Sequence, residues 1–205
     1  MCGIAGIIHR GKSSNVGREM TTMLQALRHR GPDSTGFAVY GGSKPGDILM
    51  RIKVAEREDM DKGRGILKRI KERIAGVDEI LHEHGATIKE SESSTPYALR
   101  YVINHDGNTE EMAQHLEEIE GVEILSLGRG LELVKDLGDA TAVSDAYGLD
   151  SFEGTHAIGH ARMATESDVD IRSAHPYWAF PYNDVSVVHN GQITNYWTMR
   201  REMER

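Results

Sequence analysis

An α+β domain interrupted by an inserted α/β segment is the architecture this sequence predicts, and three observations lead to it. Short apolar, partly β-branched runs at 3–9 and 155–163, near opposite ends of the chain, have the make-up of buried strands. Between the first of them and a second strand at 36–40, Val16, Met20, Met23, Leu24 and Leu27 fall on one helical face. From about Gly42 to Gly154 the character changes to charged amphipathic helices interleaved with strands, and nothing there looks like a catalytic constellation.

In order, the strand at 3–9 is followed by the helix from Val16, for which Ser14 or Asn15 can serve as cap. Gly31 and Pro32 break that helix, and Gly36–Tyr40 resumes as a strand, with another at Ile48–Val54. Ile66, Leu67, Ile70, Ile74, Ile80 and Leu81 mark a charged helix ending near Gly85; its charges form a solvated face or a partner surface. Glu90–Ser94 reads as a polar linker. A strand at Tyr97–Ile103, a helix carrying Met112, Leu116 and Ile119, and a strand at Val122–Leu127 come next, with Asn108 or Thr109 as the helix cap. Two short helices are expected at about Leu131–Asp136 and Thr141–Tyr147. Strand character returns at Thr155–Met163 and Val185–His189, and a last helix runs from about Thr194 to Arg205. That helix shows no stop signal, so the reading expects a chain cut in mid-element.

Composition narrows the class. The 205 residues suit one domain of ordinary size or one carrying a large insert, and 39% hydrophobic residues suffice for a core. No apolar run approaches the ~20 residues of a membrane span, and a net charge of −8 leaves no broad footprint for nucleic acid. A single cysteine excludes an internal disulfide framework and fits a reducing, cytoplasmic setting. No metal site is expected: His160, His175 and His189 have no closed-site spacing, and His82-Glu83-His84 is not a His-Glu-x-x-His motif. Gly128-Arg129-Gly130 reads as a turn.

The lone cysteine is Cys2, opening the run Cys2-Gly3-Ile4-Ala5-Gly6. Removal of Met1 would give this residue a free α-amine beside its thiol. An α-amine titrates near about 7.7–8.0, so it can accept the thiol proton, directly or through a water. Three further segments accompany it: Arg30-Gly31-Pro32-Asp33-Ser34-x-Gly36; Gly159-His160-Ala161-Arg162-Met163-Ala164-Thr165 followed by Ala174-His175-Pro176; and Val188-His189-Asn190-Gly191 followed by Ile193 and Asn195.

Together these segments resemble the class II glutamine amidotransferases, which carry an N-terminal cysteine and belong to the N-terminal-nucleophile (Ntn) hydrolases. The resemblance covers residues 2–40 and 155–199. It implies a four-layer αββα sandwich over residues 2–205, with the nucleophile at the start of a central strand and a small α/β subdomain inserted at about 42–154. Cys2 would attack the side-chain amide of L-glutamine to give a γ-glutamyl thioester. Asn190 and Gly191 would supply oxyanion donors, Arg162 a clamp on the α-carboxylate, and Thr165 and His175 further pocket contacts, while Arg30 shapes the site. The family's acidic residue for the substrate α-amine would lie beyond Arg205.

Thr165-Glu166-Ser167, Ala174-His175-Pro176 and Gly128–Asp136 look most like the stand-alone amidotransferase subunits related to glutamate synthase, such as that of N-methylglutamate synthase and its GlxB-like relatives. Such subunits pass nitrogen to a synthase partner. The domain itself would need no cofactor; FMN and an iron–sulfur cluster would belong to the partner. Two alternatives stay open: an Ntn amidase acting on another amide, and a catalytically silent protein of assembly.

Overall fold

Residues 2–164, 169–191 and 193–205 are described by the structure, a computed structural model. Their core is two four-stranded sheets, antiparallel throughout. The first has the order β1-β8-β2-β7, built from β1 (Gly3–Ile8), β8 (His156–Arg162), β2 (Ser34–Tyr40) and β7 (Leu131–Leu137). The second has the order β4-β5-β3-β6, from β4 (Thr87–Thr95), β5 (Ala98–Asn104), β3 (Asp47–Lys53) and β6 (Glu123–Gly128). Helices α1 (Val16–Ala26) and α4 (Ala140–Tyr147) lie on the first sheet. Helices α2 (Arg64–Glu83) and α3 (Thr109–Glu117) lie on the second, which gives the expected layered sandwich. No helix among the described residues is long and apolar enough to cross a membrane.

Local chemistry starts and seats these elements. Asn15 caps α1 by accepting the Arg18 N–H at 2.9 Å, and Asn108 and Asp139 cap α3 and α4 in the same way. On α1, Met20 and Leu24 are fully buried, and burial of each contributes about 1.5–3 kcal/mol. They lie flat on β8 because residue 159 has no side chain: a Cβ there would come within 2.6 Å of Leu24 Cδ1.

Charge as well as apolar surface joins the sheets along β7. The Glu132 carboxylate takes Arg51 at 2.7 Å and Arg100 at 2.8 Å, and Asp136 accepts hydrogen bonds from Tyr97 at 2.6 Å and Tyr147 at 3.1 Å. Burial works against the charged form of Glu132, but Arg51 and Arg100 hold its carboxyl below the usual range.

Three sequence expectations are corrected. Glu90–Ser94 is no linker but part of β4. This outer strand is exposed over most of its length, so neither face needs apolar residues, and its charges suit an edge. Leu131–Asp136 is not a helix but β7, whose alternation is masked by Glu132, Lys135 and Asp136, all buried in polar contacts. β1 is not central: among the described residues it is the outer strand of its sheet, paired only with β8. Residues 42–154 supply the whole second sheet and β7 of the first, and one hydrophobic cluster runs from Met20 and Phe37 to Tyr101 and Leu116.

The chain ends in a hairpin of β9 (Tyr177–Trp178) and β10 (Ser186–Val187), then α5 (Tyr196–Met203), which buries no residue. Both expected elements are present but shorter than the sequence suggests.

Candidate active site

Cys2 stands immediately before β1, and the pairing of Gly3 with Ala161 sets it beside the end of β8. Its Sγ lies 3.5 Å from the Met163 backbone N–H, which donates to it, and 3.8 Å from the Met163 carbonyl. Two side chains hold the other end of the residue: Arg30 Nε donates to the Cys2 carbonyl at 3.2 Å and Asn190 Nδ2 at 3.0 Å. A pocket of about 340 Å³ opens here, lined by Cys2, Gly3, Ile4, Leu27, Arg30 and Asn190. Cys2, Arg30 and Asn190, dispersed in sequence, therefore meet at one backbone carbonyl.

The turn after α1 is pressed against β8. A Cβ on Gly31 would stand 2.3 Å from the Ala161 carbonyl oxygen, so only glycine allows this approach. Asp33 then clamps the strand end. Its N–H donates to the Arg162 carbonyl at 3.1 Å, and its Oδ2 accepts from the Ala164 N–H at 2.7 Å. The residues on either side of Met163 are thus fixed, and with them the group facing the thiol. Sequence reasoning does not single out Asp33. An aspartate behind proline reads as an ordinary turn residue, and its partners lie more than a hundred residues away.

Arg162 is buried at the end of β8, opposite Ser34 of β2. Its neighbour two residues back, His160, is 1% exposed, and its ring packs at 4.8 Å against that of His175. His175 lies over Gly36 of β2, where a Cβ would be 2.0 Å from the His175 carbonyl oxygen. Tyr177 meets His175 edge-on at 4.5 Å and carries the Lys135 ammonium over its ring at 4.7 Å.

Burial, then the Arg162 charge, pushes His160 down to about 4. Burial, then His160 and Lys135, does the same to His175. Both imidazoles are neutral near pH 7 and so add no charge to a cation-rich wall. Among the described residues, no group of three or more His, Cys, Asp or Glu side chains is placed to hold a metal ion.

Gly191 follows Asn190 on the exposed arm over Cys2. Thr165 lies outside the described residues. The structure thus joins Cys2, Arg30 and Asn190 directly. Arg162 and His175 are not among the residues lining the Cys2 pocket; they belong to the wall that β8 and β2 form, Arg162 at the end of β8 opposite Ser34 and His175 packed on His160 and Tyr177.

A layered sandwich of antiparallel sheets with a cysteine at the head of one strand, its thiol facing a backbone N–H and its carbonyl held by arginine and asparagine, fits the Ntn-type domain that the sequence motifs resemble. No protein-family model matches the chain. Whole-chain relatives do. A "Putative glutamine amidotransferase" of Methanothermobacter thermautotrophicus is 40% identical over the full chain, which covers 66% of that relative. The "Glutamine amidotransferase-like protein GlxB" of Rhizobium meliloti is 30% identical over the full chain, which covers 63% of it. A glutamine–fructose-6-phosphate aminotransferase of Pyrobaculum aerophilum matches 37% of the chain at 37% identity. The chain belongs to the family of glutamine amidotransferases with an N-terminal cysteine. It spans just under two thirds of the length of the two full-chain relatives.

Proposed function

We propose that this chain is the glutaminase part of an amidotransferase. With Met1 removed, the Cys2 amine takes the thiol proton, and the thiolate attacks the side-chain carboxamide of L-glutamine. The C–N bond breaks, the terminal ammonium returns its proton to the leaving ammonia, and a γ-glutamyl thioester remains. Water then cleaves the thioester to glutamate. An asparagine amide has two N–H donors. The bond to the Cys2 carbonyl uses one, and the other, with the Gly191 N–H, serves the oxyanion.

Arg162 clamps the α-carboxylate, Thr165 adds a hydroxyl, and His175 lines the pocket as a neutral imidazole. Ammonia passes to a synthase partner that carries the FMN and iron–sulfur chemistry of the overall reaction. The cytoplasm, a reducing compartment, keeps Cys2 as a thiol.

The observation that carries this reading is the convergence of Arg30 and Asn190 on the Cys2 carbonyl while the thiol faces the Met163 N–H. It sets the thiol at the pocket beside the Met163 backbone. Ammonia release from glutamine by the full-length protein tests it: release should vanish in Cys2→Ala. Turnover that survives this substitution would remove Cys2 from the mechanism.

A further inference from the structure

We propose that Asp184 is a positioning residue that registers the Asn190–Gly191 arm over Cys2. The inference rests on the glutaminase reading for its kinetic consequence, but not for the contact itself. Asp184 sits in the hairpin loop before β10, and its carboxylate is captured by three successive backbone N–H groups. Arg129 N donates to Oδ2 at 3.1 Å, and Gly130 N and Leu131 N donate to Oδ1 at 2.8 and 2.9 Å. Consecutive N–H groups of this kind form an anion-binding concavity, and bonds to a charged acceptor are roughly twice as strong as neutral ones.

Two features show that the contact is built rather than incidental. Asp184 adopts φ 59°, a left-handed conformation that non-glycine residues seldom take. Gly128 leaves room for the carboxylate, since a Cβ there would stand 2.2 Å from Asp184 Oδ1.

The turn that receives Asp184 is also where the two sheets join. Gly128 ends β6 of the second sheet, and Leu131 begins β7 of the first. The Gly130 carbonyl is tied to the Gly41 N–H at 2.9 Å, just after β2. The hairpin itself is weak. It has two residue pairs, Ser186 with Trp178 and Val187 with Tyr177, and a ribbon that short is not stable alone.

Beyond it His189, Asn190 and Gly191 are exposed, so burial does not fix them. The arm is therefore held by a few discrete contacts. At its base stand the Asp184 contact, the Tyr40–Ser186 hydroxyl bond at 2.7 Å and the Ala179–Val185 backbone bond at 2.9 Å; further along, the His189 backbone approaches the His160 ring and Asn190 bonds Cys2. Asn190 comes six residues after Asp184, and a slip at the Asp184 contact is carried along the arm to the Asn190 bond. The sheet junction thereby reaches the catalytic centre through one carboxylate.

Asp184→Asn and Gly128→Ala in the full-length protein attack this contact from opposite sides. Each should lower kcat for glutamine about tenfold with KM little changed, less than the ~10²-fold expected for loss of the donor itself. Placed in an Asn190→Ala background, Asp184→Asn should lower kcat no further, because its effect runs through the missing side chain. Amide exchange of residues 186–191 should accelerate in both variants while β1 and β8 stay protected.

Multiplicative losses in the double variant would reduce Asp184 to a general structural role and overturn the proposal. Unchanged exchange and kcat in both variants would do the same. If the wild-type protein releases no ammonia, the functional reading fails separately. Exchange over 186–191 then decides alone: faster sustains the contact's role, unchanged refutes it.

Discussion

The two sides of the Cys2 site are held by different physics. On one side Gly31 and Gly36 lie in backbone packed so closely that a Cβ would stand 2.3 and 2.0 Å from a carbonyl oxygen, and Arg162 is buried at the end of β8. On the other side Asn190 and Gly191 are exposed, reached through a hairpin of two residue pairs. The wall is therefore part of the core and shares its stability. The arm is tied on by individual hydrogen bonds and can change without unfolding the domain. Damage to the wall should appear as instability, and damage to the arm as lost turnover in a folded protein.

The largest effect should come from Gly36→Ala. Its Cβ would meet the His175 carbonyl and Pro176 Cδ at 2.0 and 2.9 Å, and overpacking against backbone costs about 3 kcal/mol. Denaturant titration measures this; a loss below about 1 kcal/mol would show the wall to be as yielding as the arm. Asn190→Ala sharpens the contrast from the other side. It should cost about 10²-fold in kcat with stability changed by less than ~0.5 kcal/mol, as expected at an exposed position. A large fall in melting temperature would contradict that division.

Mild acid should attack the wall first. His160 and His175 bind protons near pH 4 when folded against an ordinary 6.5 when unfolded. As pH falls through this window the unfolded chain takes up protons that the folded chain refuses. Stability should thus drop between pH 6.5 and about 4, by at most about 1.4 kcal/mol per pH unit for each imidazole. Below that window the imidazole contribution levels off and the loss passes to Glu132, whose carboxyl is held below the usual range. The smallest effect should be Trp197→Ala on α5, where the side chain is 68% exposed; the expected change is within ~0.5 kcal/mol.

How much of this is legible in the sequence follows the same divide. Strands and helices with an apolar face, such as β1, α1, β5 and α3, can be read close to their true bounds because burial writes a period into the residues. β4 and β7 escape that reading for opposite reasons. β4 is an exposed edge and needs no apolar residues, while β7 buries charges whose partners sit on other elements.

At the site, Cys2, Arg30 and Asn190 stand out through their short motifs, and the structure brings them to one carbonyl. The residues that position them do not stand out. Asp33 and Asp184 look like ordinary turn aspartates, and each acquires its role from backbone N–H groups far along the chain. No local pattern encodes such contacts, because any unpaired backbone N–H can donate to a carboxylate.

The central claim is that Cys2, with its own amine free, is a nucleophile that reads glutamine. Intact mass of the full-length protein after incubation with 6-diazo-5-oxo-norleucine, a glutamine-mimicking alkylator, tests it most directly. The account predicts a chain lacking Met1 that carries one adduct, located at Cys2 and suppressed by excess glutamine. A chain that has lost Met1 and stays unlabelled, or one labelled elsewhere than Cys2, would contradict it.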